Sequence, residues 1–232
     1  MGLFPYSYQL LEQKGKVYNY MNNVKDAEKY IRQSLTHNSE NNQLRNQLYD
    51  ITKTPDEIEE IDIKDKYKVI KERRNSKLKS DYGVVTLIDQ YIVNILPEGG
   101  RKSKVVLVYE IIDENGIEQM KEYQLNTYSL TLQKSEIVKA DGSIVPAEEG
   151  SGTLVFSNLT IGDVIYIEYE SYSNATGRFY KDFNLDCYFN STYPTVEAVF
   201  AIINPENVNY STKLFNGNIT PIVKKINNKT CT

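Results

Sequence analysis

The hydrophobic pattern of this sequence changes its period near residue 81, and that change constrains the fold more than any other feature. Before residue 81, apolar residues recur at steps of three, four and seven, which is the spacing of one helix face. After it, short runs of alternating apolar and polar residues are separated by turn pairs such as Asp141-Gly142, a pattern typical of antiparallel strands. We therefore predict an α+β fold by segregation, with an N-terminal helical segment followed by an antiparallel all-β sandwich.

The helical segment is predicted to contain three helices. Small and polar residues interrupt the apolar pattern at 22–23 and again at 37–39. We expect two antiparallel helices and a third that caps them, over 8–21, 24–37 and 41–52.

The first two helices resemble a single tetratricopeptide repeat. The large, small and aromatic positions of that repeat are occupied in register by Leu11, Gly15, Tyr18, Ala27, Ile31 and Ser34. Lys14 and Ser39 depart from the pattern, because they stand where an apolar residue and a proline are usual. A generic helical hairpin is the alternative. Since one repeat cannot bury its own faces, we expect either further repeats before Met1 or packing of this hairpin on the rest of the chain.

The connector that follows is highly charged. Thr54-Pro55-Asp56-Glu57 carries the capping and proline signals of a helix start. We interpret the acidic stretch 56–65 as a solvated helix face rather than a metal cluster, and we rank a phosphate-binding patch at Arg73 and Arg74 below a solvated face as well. The predicted domains are a tetratricopeptide-like hairpin with a capping helix, a charged helical linker and a β-sandwich, at 1–53, 54–80 and 81–232.

Strands are predicted along the rest of the chain. They are expected at 84–96, 104–113, 117–127, 131–139, 143–147, 153–156, 163–172, 178–189 and 196–203. Between the second and third, Asn115-Gly116 predicts a tight hairpin.

Several of these strands and turns resemble a known bacterial family. Residues 139–145 contain an Asp-Gly hairpin, 155–159 read Val-Phe-Ser-Asn-Leu, and 161–169 read Ile-Gly-Asp-Val-Ile-Tyr-Ile-Glu-Tyr. The aromatic and proline positions of the family's later strand are matched by Phe179, Phe183, Phe189 and Pro194. From about residue 82 to the C-terminus, the chain is similar to the family called domain of unknown function 3857.

The resemblance implies a β-sandwich that precedes a transglutaminase-like domain of papain fold in proteins of the bacterial cell envelope. It therefore implies a periplasmic or secreted location and a downstream transglutaminase-like domain as a partner. The helical hairpin would bind a protein or peptide. We expect the chain to be a piece of a longer protein. The matching motifs are structural turns, so they imply no catalytic residue in this chain.

The sequence supplies few groups for catalysis. A papain-like site needs Cys, His and a carboxylate or amide, and the single histidine, His37, is predicted to lie far from Cys187 and Cys231. We expect His37 at the surface and Cys187 as a buried small residue. The sequence leaves undecided whether Cys187 and Cys231 form a disulfide. No catalytic, metal-ligating or cofactor-binding residue is predicted, and no cofactor. The net charge of −4 excludes nucleic-acid binding by bulk basicity, and no apolar run reaches the roughly 20 residues of a membrane helix.

Three functions remain open. The first is a non-catalytic accessory region that positions a transglutaminase-like domain or its substrate. The second is a free-standing protein- or glycan-binding module of the cell envelope, with Tyr-rich strands and the loop 171–177 as its surface. The third is an enzyme with a carboxylate pair, either Glu148 with Glu149 or Glu168 with Glu170, the latter on one strand face. We favour the first and expect that this chain is not an enzyme by itself.

Overall fold

The structure is a computed structural model that describes residues 6–54, 56–125, 130–173, 182–189, 191–206, 208–226 and 229–232. Pro55, Phe179 and residues 174–177 of the predicted binding loop lie outside this part. The described helices are α1 (Tyr8–Tyr20), α2 (Val24–His37), α3 (Asn42–Thr52), α4 (Ile58–Ile61), α5 (Lys66–Arg73) and α6 (Glu114–Met120). The described strands are β1 (Val84–Ile95), β2 (Arg101–Ile111), β3 (Glu122–Gln124), β4 (Leu130–Val138), β5 (Ile144–Pro146), β6 (Glu148–Gly150), β7 (Thr153–Val155), β8 (Val164–Ser173), β9 (Ala198–Pro205), β10 (Lys224–Ile226) and β11 (Lys229–Cys231). Helices come first and strands dominate the rest, so the predicted α+β class is confirmed.

The three predicted N-terminal helices are confirmed, and each begins at a side-chain cap. The caps are Ser7, Asn23 and Asn41, whose side-chain oxygens accept the backbone N–H three residues later at 3.4, 3.2 and 3.0 Å. Helix α3 ends at Lys53, whose φ of 54° is the left-handed conformation common after helices. Local side chains therefore set where these helices begin.

Helices α1 and α2 approach closely because a glycine stands between them. A Cβ atom at Gly15 would lie 2.7 Å from Ile31 Cγ1, closer than carbon atoms pack. Ala27 and Ile31 are fully buried, and Ser34 Oγ donates to the Tyr8 carbonyl at 2.8 Å. These contacts are made by positions that resemble the tetratricopeptide pattern, while membership of that family stays a prediction.

The strands form one large mixed sheet and one small sheet. The large sheet has the order β10-β11-β9-β1-β2-β8-β4-β5, and the small one has the order β3-β7-β6. The prediction of a wholly antiparallel arrangement is wrong, because β1 pairs with β9 in parallel, from Asp89 opposite Ala198 to Asn94 opposite Ile203. The alternation of apolar residues predicted the strands but not this direction, since the period of two is the same in parallel and antiparallel pairs.

The tight hairpin predicted at Asn115-Gly116 is also wrong, since these residues lie in α6. Asp113 Oδ1 accepts the Gly116 N–H at 3.1 Å, so a helix cap determines the local conformation. Gly116 is required by a close contact, because a Cβ there would lie 2.0 Å from the Gly83 carbonyl oxygen. The strand predicted over 117–127 is replaced by α6 and the short strand β3.

The strand predicted over 178–189 is not formed in residues 182–189, the part that the structure describes. Alternate residues of this extended segment, Phe183, Leu185 and Cys187, are nevertheless half-buried, while those between them are exposed. Phe183 and Leu185 pack against apolar residues of β1 and β9. The alternation in the sequence therefore corresponds to an extended segment that lies on the face of the sheet and is not one of its strands.

The large sheet is covered on both faces. On one face, Leu154 of β7 and the adjacent Phe156 pack against apolar residues of β2 and β8. On the other, Ile58 of α4 and Ile70 of α5 pack against residues of β1, β2, β8 and β9. The predicted linker 54–80 thus carries two helices that cover a sheet face, and the predicted domain boundaries stay predictions.

Candidate functional site

A network of buried charges joins residues 56–73, which we call the strap, to the large sheet. Lys104 on β2 lies at its centre and is 6% exposed. Its Nζ is 2.9 Å from a Glu59 oxygen and 2.7 Å from an Asp62 oxygen. The Glu168 carboxylate on β8 lies 3.1 Å from the same Nζ. One lysine of the sheet therefore connects strap and sheet carboxylates.

Two further sheet lysines repeat this arrangement. Lys102 lies on the same face of β2 and pairs with Asp56 at 2.5 Å and with Glu170 at 2.8 Å. Lys229 on β11 pairs with Glu57 at 3.0 Å. Acidic residues of the strap thus meet lysines from two strands along its length.

These contacts keep the partners charged. Burial alone would lower the pKa of Lys104, but hydrogen bonds to Asp62 and Glu59 outweigh it, and this pKa rises above its usual value. Burial likewise acts to raise the pKa of Asp62, and hydrogen bonds from Lys104, Lys66 and the Gln90 amide lower it instead. The charges are therefore matched, and removing one member would leave another buried without its partner.

The interpretation of the acidic stretch as a solvated helix face is wrong for Glu57 and Asp62. These residues are 6% and 5% exposed. Sequence reasoning missed them because their partners lie far along the chain. The available signal was Lys102 and Lys104, two lysines that point to the same side at the start of a strand whose middle, 105–109, is apolar.

A second ionic contact joins the helical hairpin to the turn between β1 and β2. Glu98 in this turn accepts hydrogen bonds from Arg32 at 2.6 Å and from Arg45 at 3.0 Å. Arg45 is 2% exposed and also donates to the Ser39 carbonyl at 3.1 Å. Because α2 and α3 each supply one arginine, a single carboxylate fixes both helices to the sheet.

The four candidate catalytic carboxylates have structural partners. Glu168 and Glu170 do share a strand face, as predicted, but each pairs with a lysine of β2. Glu148 and Glu149 are exposed on β6 and accept hydrogen bonds from serine hydroxyls at 2.8 and 3.1 Å. The structure brings neither pair into a shared cleft, and the absence of catalysis in this chain stays a prediction.

The histidine and the cysteines lie apart. His37 is exposed at the end of α2, with its ring centroid 5.7 Å from that of Tyr6. Cys187 and Cys231 are free thiols, because Cys231 packs beside Ile58 on the strap face while Cys187 belongs to the segment on the opposite face. Burial, then the Asp89 charge, raises the pKa of Cys187 to about 11, so this thiol stays protonated at neutral pH and is a poor nucleophile.

The two arginines proposed as a phosphate patch bind the fold's own oxygens. Arg73 donates to a β1 carbonyl at 3.1 Å and pairs with Glu197. Arg74 donates to the carbonyls of Lys139 and Gly162 at 3.1 and 2.6 Å. Both side chains therefore anchor the end of α5 to the sheet.

The helical hairpin presents two surfaces that could contact a partner. One is an exposed apolar patch formed by Leu10 and Val17 of α1, Met21 at the end of α1 and Val24 at the start of α2, which are 58%, 56%, 66% and 48% exposed. The other is a cleft of about 330 Å³ between α1 and α3, lined by Lys16, Asn19, Gln47, Asp50 and Ile51. No helix in the described part of the chain is long and apolar enough to cross a membrane.

Comparison with known proteins gives matches in structure alone. No protein-family model and no curated protein matches the sequence. The structure is similar to a candidate protease from Parabacteroides distasonis, with a TM-score of 0.56 and 13% identity over 64% of this chain and 34% of that chain. An M1 zinc metallopeptidase from Deinococcus radiodurans gives a TM-score of 0.36 and 10% identity over 66% of this chain and 38% of that chain. The chain therefore spans well under half the length of either structure, and the first likeness shows the fold alone.

Proposed function

We propose that this chain is a non-catalytic accessory region of a larger bacterial transglutaminase-like protein, where it positions the papain-fold domain or its substrate. One observation carries the proposal. The structural match to a candidate protease covers 64% of this chain but only 34% of that protein, so the shared fold is there one part of a larger chain. The resemblance of 155–169 to the family called domain of unknown function 3857 supports the same role. In this proposal the two sheets are the layers of a β-sandwich, and the protein acts in the periplasm or outside the cell.

The ionic contacts of the helices support a positioning role. A region that orients another domain must hold its own parts at fixed angles. Glu98 fixes α2 and α3 to the β1–β2 turn, and the strap is fixed to β2 by Lys102 and Lys104. The hairpin and the sheet would therefore present their surfaces to a partner in one constant geometry.

The test is the size and the activity of the native protein. An antibody against residues 81–232 should detect, in the source cells, a protein well above the 26.7 kDa of this chain. Deleting residues 1–232 from that protein should reduce its action on protein substrates, whereas its reaction with a small activated ester should persist because the nucleophile lies elsewhere. A native mass near 26.7 kDa, or full activity on protein substrates after the deletion, would contradict the proposal.

A second candidate is a free-standing protein-binding module, and the exposed apolar patch of the helical hairpin favours it. Peptides selected on the whole chain should then lose binding to a Val17→Glu variant. Gln33→Glu is the matched control, because it places the same charge on an exposed position of α2. Equal binding by both variants would exclude the apolar patch as the contact surface.

A further inference from the structure

Asp89, in the middle of β1, faces the side of the large sheet opposite the strap. The adjacent Gln90 donates to Asp62 of the strap at 2.7 Å, and successive strand residues point to opposite faces. The Asp89 carboxylate is half-buried and lies near the Cys187 thiol, whose pKa is raised by burial and then by this carboxylate. It therefore lies on the sheet face that carries the extended segment 182–189.

Three tyrosine rings, which we call the tyrosine cluster, lie on this side of the sheet, and two of them, Tyr109 and Tyr123, lie close enough to Asp89 that its charge adds to the effect of burial in raising their pKa values. Asp89 is opposite Leu107 of β2, so Tyr109, two residues further on, is its diagonal neighbour on the same face. The Tyr109 ring centroid is 6.2 Å from that of Tyr123 on β3 and 6.1 Å from that of Tyr193. Rings from three separate segments thus meet, and those of Tyr109 and Tyr123 are the ones close to the acidic group.

Asp89 has no counter-ion within the part of the chain that the structure describes. Neither an ion pair nor a side-chain hydrogen bond reaches its carboxylate there, and burial raises its pKa. Asp62, on the other face of the sheet, differs because it binds Lys66, Lys104 and Gln90. A desolvated carboxylate without a partner is unfavourable, and the addition of a cation would remove that penalty.

We propose that Asp89 and the tyrosine cluster form a binding site for an organic cation, the guanidinium or ammonium group of a basic peptide side chain. The carboxylate would accept charge-assisted hydrogen bonds from the cation. The tyrosine faces would attract it through their quadrupoles. A divalent metal ion fits less well, because one carboxylate offers too few oxygen ligands. This site is formed by residues of this chain alone. A negative binding result would therefore not contradict the accessory role proposed above, and failure of that role would not contradict the site.

The test is a calorimetric titration of the full chain with N-acetyl-arginine amide, which carries one cationic group and no charged ends. We expect saturable binding in the millimolar range that weakens with added salt. The neutral isostere, N-acetyl-citrulline amide, should not bind. An Asp89→Asn variant should lose affinity by about tenfold or more, and Tyr123→Leu should lose affinity severalfold.

Asp186→Asn is the matched control, because Asp186 is an exposed carboxylate on the segment that covers this face. It should bind the arginine probe as the wild type does, and thermal unfolding of each variant verifies that it is folded. Three outcomes would overturn the proposal: equal binding of the arginine and citrulline probes, equal affinity of the wild type and Asp89→Asn, or no saturable binding by the folded wild type.

Discussion

At the scale of single residues, buried lysines and the carboxylates around them have the largest expected effects on stability. Lys102, Lys104 and Lys229 are 6%, 6% and 8% exposed, and each pairs with an acidic residue of the strap. Burying a lysine is unfavourable unless a carboxylate compensates it, whereas removing one partner leaves an uncompensated charge. Substitutions at these positions should therefore cost more than truncation of an exposed ion pair.

Lys104→Met should lower the free energy of unfolding by about 3 kcal/mol, the lower end for breaking a buried ion pair. The reason is that Lys66 alone would then compensate the buried Asp62 and Glu168 carboxylates. Methionine retains most of the side-chain volume, so the loss would report charge rather than packing. Urea unfolding measures the difference. Lys121→Met, which breaks an exposed pair with Glu118, is the control and should leave the midpoint nearly unchanged. A Lys104→Met variant as stable as the wild type would show that the network is replaceable by apolar contacts.

Asp89 should make the protein less stable as the pH rises. Burial raises its folded-state pKa above the ordinary 3.8, so the folded protein binds this proton more tightly than the unfolded chain does. The corresponding stability is present below pH 3.8 and is lost as the pH rises through the folded-state pKa. Tyr109, Tyr123 and Cys187, which face Asp89, have raised pKa values and stay protonated in this range.

Asp89→Asn should therefore match the wild type in unfolding free energy at the acidic end and exceed it at neutral pH. Urea unfolding of both proteins across this range tests the expectation. Asp186→Asn, at an exposed position, should show no such pH-dependent gain. A constant difference between Asp89→Asn and the wild type, or a gain at the acidic end, would contradict it.

At the scale of helices and strands, what the sequence could predict depends on how far apart the determining residues lie. Helices α1 to α3 were predictable because their caps and apolar stripes are local. Strands β1, β4 and β8 were predictable from alternation. Helix α6 was missed because Asn115-Gly116 is also a hairpin signal, which outweighed the local cap Asp113. The strap network was missed because Asp62 and Lys104 are distant in sequence. Local patterns carry no information on such pairs.

Gly116→Ala should destabilise the protein by about 1–3 kcal/mol, because the new methyl group would overlap the Gly83 carbonyl and force α6 away from the start of β1. Thermal unfolding measures the shift in midpoint. Gly150→Ala is the control, since no atom lies within 4 Å of a Cβ at that position. If both variants unfold at the wild-type temperature, α6 does not depend on this close contact.

At the scale of the whole molecule, the helical hairpin and the sheet are joined by charges as well as by the covalent chain. Glu98 connects α2 and α3 to the β1–β2 turn, and the strap between them lies on the sheet through apolar and ionic contacts. A contact of this kind couples the opening of one part to that of the other. The proposed positioning role depends on this coupling, because two parts that open separately would not hold a partner in one orientation.

Glu98→Gln should uncouple the hairpin from the sheet. Glutamine cannot neutralise Arg32 and Arg45, and Arg45 would stay buried without a counter-charge. In hydrogen exchange, the amides of α1 to α3 should then lose protection by about 10- to 100-fold, while those of β1, β2 and β8 keep theirs. Glu149→Gln, at an exposed carboxylate, should leave both sets unchanged. If helices and sheet lose protection equally, Glu98 supports the whole fold rather than the joint, and if neither changes, apolar contacts hold the hairpin. After either result, the ionic contact at Glu98 would no longer support the proposal that hairpin and sheet are held in a fixed geometry.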